Sequence, residues 1–290
     1  MPYNSVFKPG LFEGKHVIVT GGGSGIGRAT AHELSALGAR VALIGRNSDK
    51  LTQVTKEIVD AGGQEPSVHQ CDIRIEEGVT QTIGDVLAEH GRIDALVNNA
   101  GGQFPAPLSA ISKKGWDAVV STNLTGGFLM ARECYTQWMS KNGGDIVNII
   151  ADMWTSMPGM GHSGAARAGM LNLTQTAAVE WAPSGVRVNA VAPGWIASSG
   201  MDTYPDSVKA MMRQLPKMVP AQRMGTESEV ASAIVFLLTE AAAFISGSCL
   251  RVDGAAPNAR MNWPMSEHDK SKAYNGFHLA SVPKLFQTDD

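Results

Sequence analysis

Apolar and polar positions alternate in rhythm along this chain. Short β-branched runs occupy His16 to Val19, Val41 to Ile44, Ser67 to Cys71, Ala95 to Val97, Asp145 to Ile149, Arg187 to Val191 and Cys249 to Val252, with longer helix-patterned stretches between them. Strands joined by helical crossovers run parallel, and a parallel sheet needs helices on both faces. The pattern therefore predicts an α/β protein: a doubly wound, seven-stranded parallel sheet wrapped by helices. No composition break precedes residue 254, so residues 1–290 read as a single domain with a core over residues 12–254. Residues 255–290, rich in Asn, Pro, Lys and Ser, read as an irregular extension packed on the surface or on a neighbouring subunit.

The first strand runs into Thr20-Gly21-Gly22-Gly23-Ser24-Gly25-Ile26-Gly27, immediately before a helical stretch. Glycines at 21, 25 and 27 let the backbone turn sharply and approach a ligand, while the N–H groups opening the next helix point outward. A pyrophosphate suits that place. The spacing is G-x-x-x-G-x-G rather than G-x-G-x-x-G, so a tight strand-to-helix turn with no ligand explains this stretch equally well when taken alone. Ligands of open parallel sheets sit beyond the carboxyl ends of the strands. Three further strand ends carry polar signals: Arg46 after the second, Asp72 after the third and Asn98 to Gly101 after the fourth. Arg46 stands at the station where a dinucleotide's adenosine ribose lies, and an arginine there matches a 2′-phosphate, which favours NADP(H) over NAD(H).

Composition narrows the classes. A net charge of −3 points away from nucleic acid and anionic membrane, and no apolar run is long enough to span a bilayer. Three cysteines without metal-ligand spacing suit a reducing, cytoplasmic setting, and no metal centre is expected.

As a set, Thr20 to Gly27, Asp72, Asn98 to Gly101, Asn123 within Thr122-Asn123-Leu124-Thr125-Gly126, and Pro193-Gly194 resemble the short-chain dehydrogenase/reductase family over roughly residues 12–254. The resemblance implies a Rossmann-type fold and a nicotinamide cofactor. It places Gly21, Ser24, Gly25, Ile26 and Gly27 at the pyrophosphate, Asp72 and Ile73 near the adenine, Asn99, Ala100 and Gly101 along the midsection, and Pro193, Gly194 and Ile196 near the nicotinamide. It also implies that Asn123 opens its helix and binds a water, and that the chain forms a homo-oligomer, a tetramer or dimer.

One departure narrows the chemistry. Ordinary members of the family carry Tyr-x-x-x-Lys ahead of a segment that here reads Asn172-Leu173-Thr174; that register puts Ser163 in the tyrosine position and Arg167 in the lysine position. The upstream catalytic serine is missing too, because Asn148 is followed by Ile149, Ile150 and Ala151. Ketone reduction makes an alkoxide that must be protonated at once; a serine hydroxyl is too weak an acid, and a guanidinium stays protonated. Reducing a C=C conjugated to a thioester makes an enolate instead, whose oxygen needs hydrogen-bond donors more than a proton. Ser163 and Arg167 share one helix face and can provide that hole, with Arg167 also beneath the nicotinamide ribose. The stretches Asn99 to Phe104, Ser112 to Trp116 and His162 to Gly169 resemble an atypical branch of the family, the peroxisomal trans-2-enoyl-CoA reductases and, more distantly, the 2,4-dienoyl-CoA reductases. The expected activity is NADPH-dependent reduction of an enoyl thioester, with Ser163, Arg167 and Asn123 in the catalytic site.

Two alternatives stay open: an alcohol dehydrogenase or carbonyl reductase for a terpenoid or hydroxyacyl compound, using Tyr204 or Asp152 as acid, and a silent NADP(H)-binding protein. His162 reads as flanking the site, since adjacent helical side chains diverge by about 100°. Residues 197–224 read as a substrate lid or a rigid surface loop, ahead of a helix capped by Thr226 and Glu229. Met153, Met157, Met160, Met201, Met211, Met212 and Met218 suit either an adaptable acyl pocket or core filling.

Overall fold

The computed structural model describes residues 2–203, 209, 211–259 and 265–287. Seven parallel strands form one sheet in the order β3-β2-β1-β4-β5-β6-β7: β1 (His16–Thr20), β2 (Arg40–Gly45), β3 (Ser67–Gln70), β4 (Ala95–Asn98), β5 (Gly144–Ile149), β6 (Val186–Pro193) and β7 (Cys249–Val252). The chain order reverses between β1 and β4, which opens a crevice at their carboxyl ends.

The strands alternate their apolar side chains between two cores. Val17, Val19, Val41, Leu43 and Val97 face α1 (Gly25–Ala36) and α2 (Ser48–Asp60), where Leu34, Leu51, Val54 and Ile58 meet them. Ile18, Ala42, Ile44, Leu96 and Ile146 face α3 (Glu76–His90) and the α4–α5 rod (Lys113–Val120 and Gly126–Cys134), against Val79, Ile83, Leu129 and Met130. Each such side chain contributes about 1.5–3 kcal/mol on burial, so a one-residue slip of any strand would exchange its faces and forfeit several of these at once. The rod continues through a π-helical turn, Tyr135–Met139, into α6 (Ser140–Asn142), and α7 (Gly161–Glu180) follows β5. Helix α8 (Glu227–Leu238) packs along α1, and its start carries the predicted capping box, in which the Thr226 hydroxyl accepts from the Glu229 N–H and the Glu229 carboxylate accepts from the Thr226 N–H. Among the described residues no helix is long and apolar enough to cross a membrane.

The C-terminal extension lies on its own chain. Phe277 inserts beside Tyr3, Ala29 and Ala231, while Asn4 donates from its N–H to the Gly276 carbonyl at 2.8 Å and accepts from the Tyr274 hydroxyl at 2.7 Å. Farther on, Leu285 joins Met201, Met212 and Leu215, which belong to the predicted 197–224 loop, in a small core. Met201 and Met212 are therefore core fillers, and Met211 and Met218 face solvent. The two ends of this loop are clamped where Ile196 pairs with Gly225. Tyr204 lies outside the described residues.

Where the leader and tail meet α1, Glu33 is fully buried and accepts from the Tyr3 hydroxyl at 3.2 Å and the Ser5 hydroxyl at 2.8 Å. Burial pushes its carboxyl up to about 7. The folded state thus holds a proton that the unfolded chain releases near the ordinary value of 4.5, so this group costs stability as pH rises from there toward 7 and most of all above it. Glu33→Gln is expected to flatten that loss, raising unfolding free energy at about pH 8 by on the order of 2 kcal/mol relative to wild type while changing little at about pH 5. Urea titrations at the two pH values check it; an equal shift at both would assign the effect to packing instead.

Candidate active site

The turn after β1 is built around absent side chains. Gly21 adopts a φ of +66°, and a Cβ on Gly27 would strike the Gly21 carbonyl and the Asn99 amide. Thr20 ties this turn to the one after β4: its hydroxyl accepts from the N–H groups of Asn99 at 3.0 Å and Ala100 at 2.9 Å. The Asn99 amide in turn donates to the Thr20 carbonyl at 3.0 Å. Ser24 is the N-cap of α1 with extended backbone and no side-chain capping bond, and the first turn of α1 carries no acid. Gly25, Ile26 and Gly27 thus open a helix whose unpaired N–H groups suit an anion. This cradle fits the pyrophosphate of a dinucleotide.

A crevice of about 220 Å³ runs outward from the cradle and brings Gly21, Ser24, Arg46, Asp72, Ile73 and Gly101 together, with Ala100 also on its wall. Lys50 and Arg74 lie there as well. Asp72 accepts from Arg74 at 2.8 Å and 2.5 Å, and these bonds hold its carboxyl below the usual carboxylate range. Arg46 and Lys50 form no ion pair among the described residues, so the adenosine end of the crevice carries two unneutralised cations. Pro193, Gly194 and Ile196 stand at the carboxyl end of β6, outside this crevice. Gly194 donates to the Val252 carbonyl at 2.9 Å, and a Cβ on it would meet the Asp253 backbone at 2.8 Å.

The predicted reacting residues converge on the loop after β4. Ser163, in the first turn of α7, is fully buried and donates from Oγ to Oε1 of Gln103 at 2.6 Å. One turn on, Arg167 donates from Nη1 to the Ile149 carbonyl at 2.6 Å, and its Nη2 sits where a Cβ on Gly101 would be, 2.5 Å away. Burial pushes the guanidinium down to about 10, which leaves it cationic at neutral pH. No carboxylate pairs with it among the described residues. A desolvated cation without a counter-charge favours whatever developing anion or electron-rich group enters beside it.

Asn123 is buried in a π-helical turn, Ser121–Thr125, so the helix does open at this residue. Its amide accepts from the Gly102 N–H and donates to the Gly102 carbonyl, each at 2.9 Å. Both ends of the side chain are thereby engaged with one residue, and Asn123 anchors the 99–103 loop. Behind it, Asn98, Asn148 and Thr174 form a buried hydrogen-bond chain from β4 to α7.

His162 flanks the site: its Nδ1 accepts from the Ser163 N–H at 3.0 Å, and its ring meets Phe104 edge-on at 4.6 Å. Asp152 is half-buried, its N–H donating to the Pro193 carbonyl at 3.1 Å, and its carboxyl is raised by burial and by the neighbouring Asp253. Gln103 is the residue that sequence reasoning missed. It stood in the stretch compared with the reductase branch, but no spacing ties it to a serine 60 residues away.

A family model described as "Enoyl-(Acyl carrier protein) reductase" matches residues 21–255. The chain belongs to the short-chain dehydrogenase/reductase family. As an oxidoreductase of that family it is 40% identical over 246 residues to the Bacillus subtilis (strain 168) "Probable 2,4-dienoyl-CoA reductase [(2E)-enoyl-CoA-producing]", covering 83% of this chain and 96% of that protein. Among solved structures it is 60% identical to the citronellol catabolism dehydrogenase (AtuB) of Pseudomonas aeruginosa PAO1, with a TM-score of 0.79 over 88% of this chain and 99% of that one. A Beutenbergia cavernae protein described as a "putative NAD(P) dependent gluconate 5-dehydrogenase", solved with NADP at low occupancy, is 32% identical with a TM-score of 0.80, covering 87% of this chain and 100% of that one. The family uses a nicotinamide cofactor, and the cradle described above fits one.

Proposed function

We propose that this short-chain reductase uses NADPH to saturate a conjugated C=C bond of an acyl thioester, a 2-enoyl or 2,4-dienoyl compound. The observation that carries the reading is the donor set at the reacting end: Ser163 held by Gln103, and Arg167 cationic and without a carboxylate partner. NADPH, when bound, would supply the hydride to one carbon of the conjugated system, and water would supply the proton that the resulting enolate takes up on carbon. The reactions of both substrate classes pass through a dienolate or enolate whose charge rests on the thioester oxygen. Arg167 and Ser163 supply a positive field and a hydroxyl donor for that oxygen, and neither has to lose a proton to do so. Ser163 is fully buried with its hydroxyl on the exposed Gln103, so a substrate oxygen takes that donor as the Gln103 side chain moves off it. Asn123 holds Gly102, which keeps Gly101 close enough for Arg167 to reach under it. The curated relative named as a 2,4-dienoyl-CoA reductase and the matching enoyl reductase family model support the thioester class.

The 60% identity to a protein of citronellol catabolism favours a second reading, oxidation of a terpenoid alcohol with Asp152 as the group that exchanges a proton. Nicotinamide absorbance separates the two. Steady NADPH oxidation with crotonyl-CoA, a longer 2-enoyl-CoA or 2,4-hexadienoyl-CoA, and none with citronellal or citronellol plus NADP, is the expected result. Turnover of the alcohol pair alone would replace the first reading with the second; tight NADPH binding without turnover of either set would make this a silent cofactor-binding protein. The homo-oligomer and the cytoplasmic setting belong to the same proposal, supported by the exposed Phe128 on α5 and Val179 on α7 and by three unpaired cysteines.

A further inference from the structure

Outside the cofactor crevice, between the edge strand β3 and the end of α3, three side chains that belong to no part of the mechanism converge. His69 comes from the edge strand β3, and Glu89 and His90 from the last turn of α3. Their ligating atoms all lie within 4.8 Å of one another. The two imidazoles approach one point: Nε2 of His90 is 2.8 Å and Nε2 of His69 is 2.9 Å from the hydroxyl of Ser67, which shares a strand face with His69. The Glu89 carboxylate spans the pair, one oxygen 3.8 Å from His69 and the other 3.9 Å from His90.

We propose that His69, His90 and Glu89 form a binding site for a zinc-class divalent metal, clipping the edge strand of the sheet to the end of α3. Two imidazole nitrogens and one carboxylate oxygen are a borderline-soft donor set that selects zinc-like ions over magnesium or calcium. Ligand atoms bound at about 2.0–2.2 Å in a tetrahedral site stand roughly 3.3 Å apart, so the two Glu89–imidazole separations close by about half an ångström. The adjustment falls on Glu89, whose side chain is 54% exposed, while the imidazoles are already held by burial at 11% and 8%. The Ser67 hydroxyl or a water completes the fourth position. No chemistry is assigned to the metal, because none of its three ligands lines the cofactor crevice. Its effect is to tie down an edge that otherwise ends the sheet.

The test is a calorimetric titration of the tag-free, chelator-treated full chain with Zn²⁺, with Co²⁺ as a spectroscopic probe. One metal per chain is expected, with a rise in Tm, and with the visible absorption of low-coordinate Co²⁺. His90→Ala should weaken binding on the order of 100-fold, and Glu89→Gln, an exposed change that leaves the fold intact, by at least about tenfold. Reductase activity should stay unchanged in Glu89→Gln. Absence of Zn²⁺ binding to the wild-type chain, binding of wild-type strength by the Glu89→Gln and His90→Ala variants, or equal competition by Mg²⁺ would each overturn the assignment.

Discussion

Replacing Arg167 with alanine is expected to lower kcat/KM for a conjugated acyl thioester by on the order of 100- to 1,000-fold, the range seen when one preorganised donor to a developing oxyanion is removed. The expectation follows from where the guanidinium sits and what it lacks. It is anchored through one nitrogen to the Ile149 carbonyl, packed under Gly101 by another, and paired with no carboxylate among the described residues. Its charge is therefore not consumed by the protein. In a site of low polarity such a charge acts strongly on enolate oxygen, and its orientation costs nothing at the moment of reaction because the Ile149 and Gly101 contacts already fix it. Arg167→Lys keeps the charge but loses the planar fork that reaches both, so a partial recovery, well short of wild type, is expected. A KM-against-kcat split distinguishes roles: a fall mainly in kcat locates Arg167 at the reacting oxygen, whereas a rise mainly in the KM for NADPH confines it to the nicotinamide ribose. Unchanged kinetics in Arg167→Ala would remove it from the site.

How far the sequence revealed this arrangement depended on the range of each interaction. The strands were legible because each is a short apolar run with both faces buried, and burial leaves its mark on every residue of Val17 to Val19 or Val41 to Ile44. Ser163 and Arg167 were legible as a pair because one helix turn separates them, a spacing that geometry fixes without tertiary information. Gln103 was not, because its bond to Ser163 spans a loop whose path only the fold determines. Asn123 was legible as a place where the helix opens, but its double engagement with Gly102 depends on how closely two loops approach. The tail's docking was hidden for a similar reason: a single aromatic, Phe277, seats a segment whose composition otherwise reads as solvated. Methionines 201 and 212 pack into a core that exists only because Leu285 returns to it. The His69, Glu89 and His90 cluster joins a strand to a helix end, so no linear spacing announced it.

The second large effect is expected at the other end of the crevice. Arg46→Ala should weaken NADPH binding about ten- to a hundredfold while changing NADH binding by no more than about threefold, since a hydrogen bond to a charged group contributes about 1.5–3 kcal/mol. Arg46 lines the crevice beside Asp72 and forms no ion pair among the described residues, so its guanidinium is available to a 2′-phosphate. The nearby Arg74 cannot substitute for it, because the Asp72 carboxylate already holds that side chain with two bonds. Lys50 can in part, since it lines the same crevice and forms no ion pair among the described residues, which places Arg46→Ala toward the lower end of the range. Adding Lys50→Ala should then extend the NADPH loss by roughly another tenfold and leave NADH as it was. Raising salt should weaken NADPH more than NADH in the wild-type chain and narrow that gap in the double variant, because the exposed cations are screened within about 10 Å at 0.1 M salt. Fluorescence titrations with both cofactors at two salt concentrations make the comparison. An equal loss for NADPH and NADH in Arg46→Ala would assign the residue to the shared adenosine ribose and withdraw the preference for the phosphorylated cofactor.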